Sequence, residues 1–166
     1  DGPPTGQAIK VLGVPRAILD TVPESMLTRD ARVIDSFLTN PERAAAVIVT
    51  LAEELPVAEA LELETAFGER VGIEVATLVV NGLYPVARCA DLLADVRPAA
   101  GEASKLATLV GEARIFEQRR AINERYLDVL AERSDTPVTP LPLLFTDSMS
   151  RPQLELLAEA WAPAAE

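Results

Sequence analysis

Two stretches of the chain, 44–52 (AAAVIVTLA) and 75–85 (VATLVVNGLYP), are apolar and β-branched, without the polar residue at every second position that marks a half-exposed strand. Each predicts a strand covered on both faces, the pattern of a parallel sheet, and together they predict its centre. Between them, residues 55–74 (LPVAEALELETAFGERVGIE) place Ala60, Leu63, Phe67 and Val71 at helical spacing and stop near Gly72. The unit is strand, helix, strand, and a parallel pair joined this way crosses over right-handedly.

Helical periodicity recurs on either side. Residues 27–43 carry Val33, Ile34, Phe37 and Leu38 on one face and stop at Asn40 and Pro41. Residues 101–135 predict a long helix packed through Ile115, Ile122, Tyr126 and Val129, with charged residues on the other face. Pro137, Pro140 and Pro142 fall in the next apolar run, so 136–147 predicts a short edge strand running into a loop rather than a central strand. A closing helix over 152–161 places Leu154, Leu157, Ala158 and Trp161 together. The order of elements predicts an α/β fold, and no repeat or low-complexity tract interrupts it.

Composition narrows the function. A chain of 166 residues that is 49% hydrophobic forms a real core and is not disordered. With 15 basic and 26 acidic residues the formal charge is -11, which repels a nucleic-acid backbone. There is one cysteine, Cys89, and no histidine, which excludes an internal disulfide framework, a cysteine-pair zinc site and a histidine-activated thiol. Magnesium, which takes oxygen ligands, remains open. No apolar run reaches the roughly 20 residues of a spanning helix, and the expected compartment is the cytoplasm, without membrane insertion.

Candidate chemistry lies where strands should end. An acidic residue at a strand's carboxyl end can hold magnesium through water or orient an attacking water. Asp1 has the residue type for either role. Gly2 and Gly6 after it permit unusual backbone, and Thr5 offers a hydroxyl and a helix cap. The same composition makes a plain turn, and the residues alone leave both readings open. Asn81 closes an apolar strand; its amide, one acceptor and two donors, suits the Watson–Crick edge of adenine, or it caps a loop before Gly82. Glu53 and Glu54 fit a helix N-terminus better than acid–base work, and Arg119 and Arg120 fit the solvated face of the long helix.

In sequence order, DGPPTGQAIKVLGVP, VTLAEELPVAEALEL, VATLVVNGLYP and LPLLFTDSMSRPQLELL resemble the carboxyl-terminal portion of the ArsA-like ATPases, the arsenite-pump and tail-anchored-protein targeting ATPases. The resemblance covers nearly the whole chain. That family's switch II motif, approximately Asp-Thr-Ala-Pro-Thr-Gly-His-Thr, is matched at Asp1, Pro4, Thr5 and Gly6, with Gln7 where the family has histidine. It implies that Asp1 lies near magnesium and the catalytic water and that the turn from Pro4 to Gln7 moves with nucleotide state. It implies further that Asn81 contacts adenine and that Pro142, Leu143 and Leu144 form a second adenine-side loop.

The resemblance also sets expectations about what this chain does not carry. The family's Gly-rich phosphate loop has no counterpart here, since GQAIK and GEASK lack the glycine run and the following Ser/Thr. The loop and the first strands are expected immediately before Asp1, on the same gene product or on a companion chain. Residues 1–166 therefore read as the carboxyl-terminal part of one ArsA-like domain, part of a P-loop NTPase-type sheet, with a shortened helical insertion over 17–42. The implied function is ATP binding and magnesium-dependent hydrolysis that drives a homo- or heterodimer to handle a protein partner or cargo. The alternative is a nucleotide-binding scaffold with little hydrolysis. With Cys89 alone, a zinc-clamped dimer is excluded for this chain, and a cysteine-based metalloid site is not expected.

Overall fold

The computed structural model describes residues 5–85 and 103–161. Three strands, β1 (Ala46–Leu51), β2 (Val75–Leu83) and β3 (Val138–Pro142), form a parallel sheet in that order. Both apolar runs are strands in it, paired from Val47↔Thr77 to Leu51↔Asn81, but only β2 is central: among the described strands β1 lies at the edge and is covered on one face, with Val47, Val49 and Leu51 exposed on the other. Because sheet order follows chain order, right-handed crossovers send both connecting helices to the same face. These are α4 (Glu54–Ala66), prolonged by a π turn (Phe67–Val71), and the long α5 (Ala103–Arg133). Ile48, Leu78 and Val80 from the sheet meet Val57, Ala60 and Leu61 of α4 and Leu130 of α5 in one buried cluster. The result is a mixed α/β layer structure, helices on a parallel sheet, consistent with part of a P-loop NTPase-type fold.

The proline-bearing run is an edge strand, as its composition requires. Pro140 and Pro142 have no N–H to give a second neighbour, and β3 has only β2 beside it among the described residues. Thr77 on β2 ties it further: its hydroxyl lies 2.9 Å from both the Pro137 carbonyl and the Thr139 hydroxyl. The closing helix α6 (Arg151–Trp161) packs against β3.

Three helices precede β1: α1 (Thr5–Leu12), α2 (Val14–Thr21) and α3 (Met26–Leu38). Residues Thr5 to Gln7, expected as a mobile turn, form the first turn of α1; Asp1 and Pro4 lie outside the described residues, as does Cys89. Helix α3 starts on a reciprocal cap, Ser25 N–H to Thr28 Oγ1 at 2.8 Å and Thr28 N–H to Ser25 Oγ at 3.4 Å. It ends where expected, with Asn40 Oδ1 accepting from Glu42 N–H at 2.9 Å just before the helix could continue through Pro41. The helical stop at Gly72 also holds. Its φ of 78° is left-handed, and a Cβ there would stand 2.8 Å from Arg16 Nη1 of α2 and 3.2 Å from Thr39 Cγ2.

Three expected packing faces are displaced. On α3 Leu38 packs against the central cluster as expected, but the buried positions are Thr28 and Ala31, small residues that admit close approach of α2, while Val33 is 68% exposed and Ile34 and Phe37 face outward. On α5, Ile115 is 61% exposed and Ile122 is exposed. Tyr126 and Val129 do pack against the central cluster, as expected, and the rest of the inward stripe runs through Ala113, Phe116, Arg120, Asn123, Leu127 and Leu130, a three-four repeat whose amino-terminal half is partly polar because it meets strand ends. On α6, Leu157 is half-buried, but Leu154 and Trp161 are exposed.

Candidate functional site

All three strands deliver their carboxyl ends to one edge of the sheet, and α5 crosses that edge. Beyond β1, Ala52 is buried and Glu53 is extended, its N–H reaching back 2.9 Å to the Leu51 carbonyl before α4 begins. Glu53 therefore stands at the N-cap of α4, with Glu54 in its first turn, as expected; Glu53 also faces Arg119 at 3.8 Å. Beyond β2, the backbone bends at Gly82, whose φ is 71°, and the pairing with β3 shifts register between Val80 and Leu83. Leu143 N–H then donates to the Leu83 carbonyl at 2.7 Å, holding the start of the post-β3 loop against the end of β2.

One side chain of α5 ties two of these ends together. Asn123 accepts from Tyr84 N–H at 2.9 Å and donates to the Ala52 carbonyl at 3.3 Å. Arg120, one turn earlier, donates to the Tyr84 carbonyl at 2.7 Å and pairs with Glu124 at 2.8 Å. Arg120 is thus no solvated surface residue: a guanidinium has five donors to spread over a carbonyl and a carboxylate, and it uses both partners here. Above this bridge sit three aromatic rings. Tyr84 meets Phe116 edge-on at 5.1 Å and Phe145 at 6.3 Å, and Phe116 stacks on Phe145 at 5.8 Å with planes 28° apart. Phe145 is 69% exposed, so the trio opens on solvent beside the loop that begins with Pro142, Leu143 and Leu144.

Asn81, Pro142, Leu143 and Leu144 therefore lie at one edge of the sheet, joined through the Leu143–Leu83 hydrogen bond. The Asn81 side chain is exposed and has no hydrogen-bond partner among the described residues, so it does not cap the Gly82 bend. It borders a groove of about 220 Å³ running between β1 and α4, with Val49, Leu51, Pro56, Glu59 and Leu63. Gly6 lies elsewhere. With Ile9 it borders a second groove of about 540 Å³ between α1 and α4, and Glu59 and Leu63 are common to both grooves. Gln7 is exposed on α1. The described residues include no cluster of three or more His, Cys, Asp or Glu side chains fit to hold a metal ion, and the magnesium candidate Asp1 is outside them.

The Arg120–Asn123 bridge and the aromatic trio went unseen in the sequence. A signal for them exists in the three-four spacing that joins Phe116, Arg120 and Asn123 to Leu127 and Leu130. An interruption of an apolar stripe by an amide and a guanidinium marks where a helix meets exposed backbone rather than side chains.

The fold places the chain among the mixed α/β proteins with helices on a parallel sheet, in whose open forms ligands commonly bind beyond the carboxyl ends of the strands. No family model matches the chain. It is similar to a protein of Halobacterium salinarum described as a "Putative arsenical pump-driving ATPase", 26% identical over 152 residues, covering 86% of this chain and 20% of that protein. The chain thus spans about one-fifth of the length of the curated relative it matches. A match this distant, sustained over most of the chain, supports a relationship to the ArsA-like ATPases at the level of the family and no finer. No helix among the described residues is long and apolar enough to cross a membrane.

Proposed function

We propose that these residues form the carboxyl-terminal part of an ArsA-like ATPase domain and supply the base-binding side of its ATP site. The observation that carries this reading is Asn81: an amide with no protein partner at the carboxyl end of a β-branched strand, beside the Pro142–Leu144 loop. Its carbonyl oxygen can accept from the adenine amino group and its N–H can donate to a ring nitrogen. The distant relative named as a pump-driving ATPase supports the same class of ligand. The phosphates would be held by polypeptide outside these residues. Asp1 would position magnesium through water, and magnesium when bound neutralises charge on the phosphate oxygens. In this reading Thr5, Gly6 and Gln7, at the start of α1, would pass nucleotide state to the partner surface of a cytoplasmic dimer that handles a protein cargo.

A second reading, a nucleotide-binding scaffold that hydrolyses little, is favoured by Gln7 at the position where the family has histidine. One experiment tests both. ATP affinity and turnover are measured on the polypeptide as its gene encodes it, and on its Asn81→Ala and Asp1→Asn variants. Asn81→Ala is expected to weaken ATP binding about tenfold, the value of one to two hydrogen bonds, while GTP binding changes less. Turnover lost in Asp1→Asn with ATP affinity kept supports the ATPase; ATP binding without turnover in the unaltered protein supports the scaffold. No ATP binding by the unaltered protein removes both.

A further inference from the structure

Between Asn81 and Tyr84 the central strand parts from both of its neighbours. Pairing with β1 ends at Leu51↔Asn81, and the Leu51 carbonyl is taken by Glu53 N–H. Pairing with β3 is regular from Leu78↔Val138 to Val80↔Pro140 and resumes only at Leu83↔Pro142, after a shift of register. Gly82 falls in this gap with a φ of 71°, and glycine is the residue whose backbone is least confined. The ladder alone therefore leaves the chain just beyond Asn81 free to turn. What fixes it comes from α5. Tyr84 N–H donates to Asn123 Oδ1 at 2.9 Å, and the Tyr84 carbonyl accepts from Arg120 Nη1 at 2.7 Å, so both backbone groups of one residue are held from adjacent turns of one helix. Asn123 refers the same point to the end of β1 by donating to the Ala52 carbonyl at 3.3 Å, and Glu124 holds the Arg120 guanidinium at 2.8 Å. Leu127 and Leu130 root that face of α5 in the core.

We propose that Asn123 and Arg120 are positioning residues for the Asn81 amide: by clamping Tyr84 they remove the freedom that Gly82 admits and set where the Asn81 side chain meets a purine. The assignment rests on the reading of Asn81 as a base contact and adds what makes that contact effective. An amide that accepts and donates at once needs both bonds near 2.9 Å and nearly straight, so a carrier backbone that drifts by about 1 Å forfeits one of them. Asn81 is exposed and has no hydrogen-bond partner of its own among the described residues, so its place is set by its backbone, and that backbone is pinned three residues on by α5. The same clamp serves the neighbouring loop, because Leu143 N–H donates to the carbonyl of Leu83, the residue just before Tyr84.

The test compares ATP and GTP affinities of the polypeptide as its gene encodes it with those of its variants, each at a temperature where it is folded. Asn123→Ala is expected to follow the pattern of Asn81→Ala, with ATP weakened about fivefold and GTP less than about twofold. Arg120→Met, which leaves Asn123 in place, is expected to lower the ATP to GTP preference by about two- to threefold. Equal loss of both nucleotides in both variants is the mark of a merely structural role and overturns the assignment. In the Asn81→Ala background, Asn123→Ala is expected to weaken ATP by less than about twofold more; the full fivefold there overturns action through Asn81. Amide hydrogen exchange reads the clamp without nucleotide. In Asn123→Ala the Asn81, Gly82 and Leu83 amides are expected to exchange about tenfold faster while Leu78 and Val79 stay protected, and unchanged exchange at all three overturns the positioning. If the unaltered protein binds no ATP, the nucleotide reading falls and the assignment with it; if it binds ATP and the two substitutions act additively, the assignment falls alone.

Discussion

Asn123 shows how much one side chain can settle at a strand end. Its amide satisfies the N–H of Tyr84 after β2 and the carbonyl of Ala52 after β1, two groups that the sheet ladder no longer serves. Truncation leaves both without a partner in a half-buried place. Asn123→Ala is expected to lower stability by about 1–3 kcal/mol, measured by urea denaturation. Asn123→Asp, which keeps the acceptor for Tyr84 but sets a carboxylate oxygen against the Ala52 carbonyl, is expected to recover only part of that loss. Asn81 is the contrasting case. It has no hydrogen-bond partner among the described residues, so Asn81→Ala is expected to leave the unfolding free energy within about 0.5 kcal/mol of the parent, the range of surface substitutions, while the proposed ATP affinity falls.

Among the elements, α5 is where pattern and packing part company. Its isoleucines suggest one face and its buried residues lie on another. Leu130 is 0% exposed within the central cluster, so Leu130→Ala is expected to cost about 2–5 kcal/mol; Ile115→Ala is expected to change stability by less than about 0.5 kcal/mol. Thermal melts of the two variants decide between the stripes. The rest of the fold was largely legible. The unbroken apolar runs of β1 and β2, the stop at Gly72 and the prolines of β3 each reflect a local constraint on the backbone, which a sequence displays directly. What a helix packs against is a tertiary fact. The polar half of the α5 stripe and the outward Val33, Ile34 and Phe37 of α3 follow from partners many residues away, and periodicity alone does not name those partners.

Across the whole molecule, the candidate site was legible as an edge and not as a set of contacts. The apolar run ending in Asn81 and the Pro-Leu step after β3 indicate strand ends, and in a parallel sheet strand ends share a side. The signal for Arg120, its place in the three-four stripe with Phe116, Asn123, Leu127 and Leu130, is obscured by Arg119 and Glu124, which make it look like one more charge on a charged helix.

The connection between α4 and the segment leading into β3 has a consequence in time. Ser134 Oγ donates to Glu64 Oε1 at 2.7 Å and the Thr136 hydroxyl donates to the same oxygen, closing loops of 70 and 72 residues. Contacts so distant in sequence carry a large loop-closure cost, so they are expected on the late side of the folding barrier. Glu64→Ala is expected to leave the refolding rate nearly unchanged and to accelerate unfolding, lifting only the unfolding limb in stopped-flow measurements across denaturant. A slowed refolding limb would instead assign this carboxylate to the folding nucleus. On the expected outcome, Glu64 sets how long the native state persists rather than how quickly it is reached.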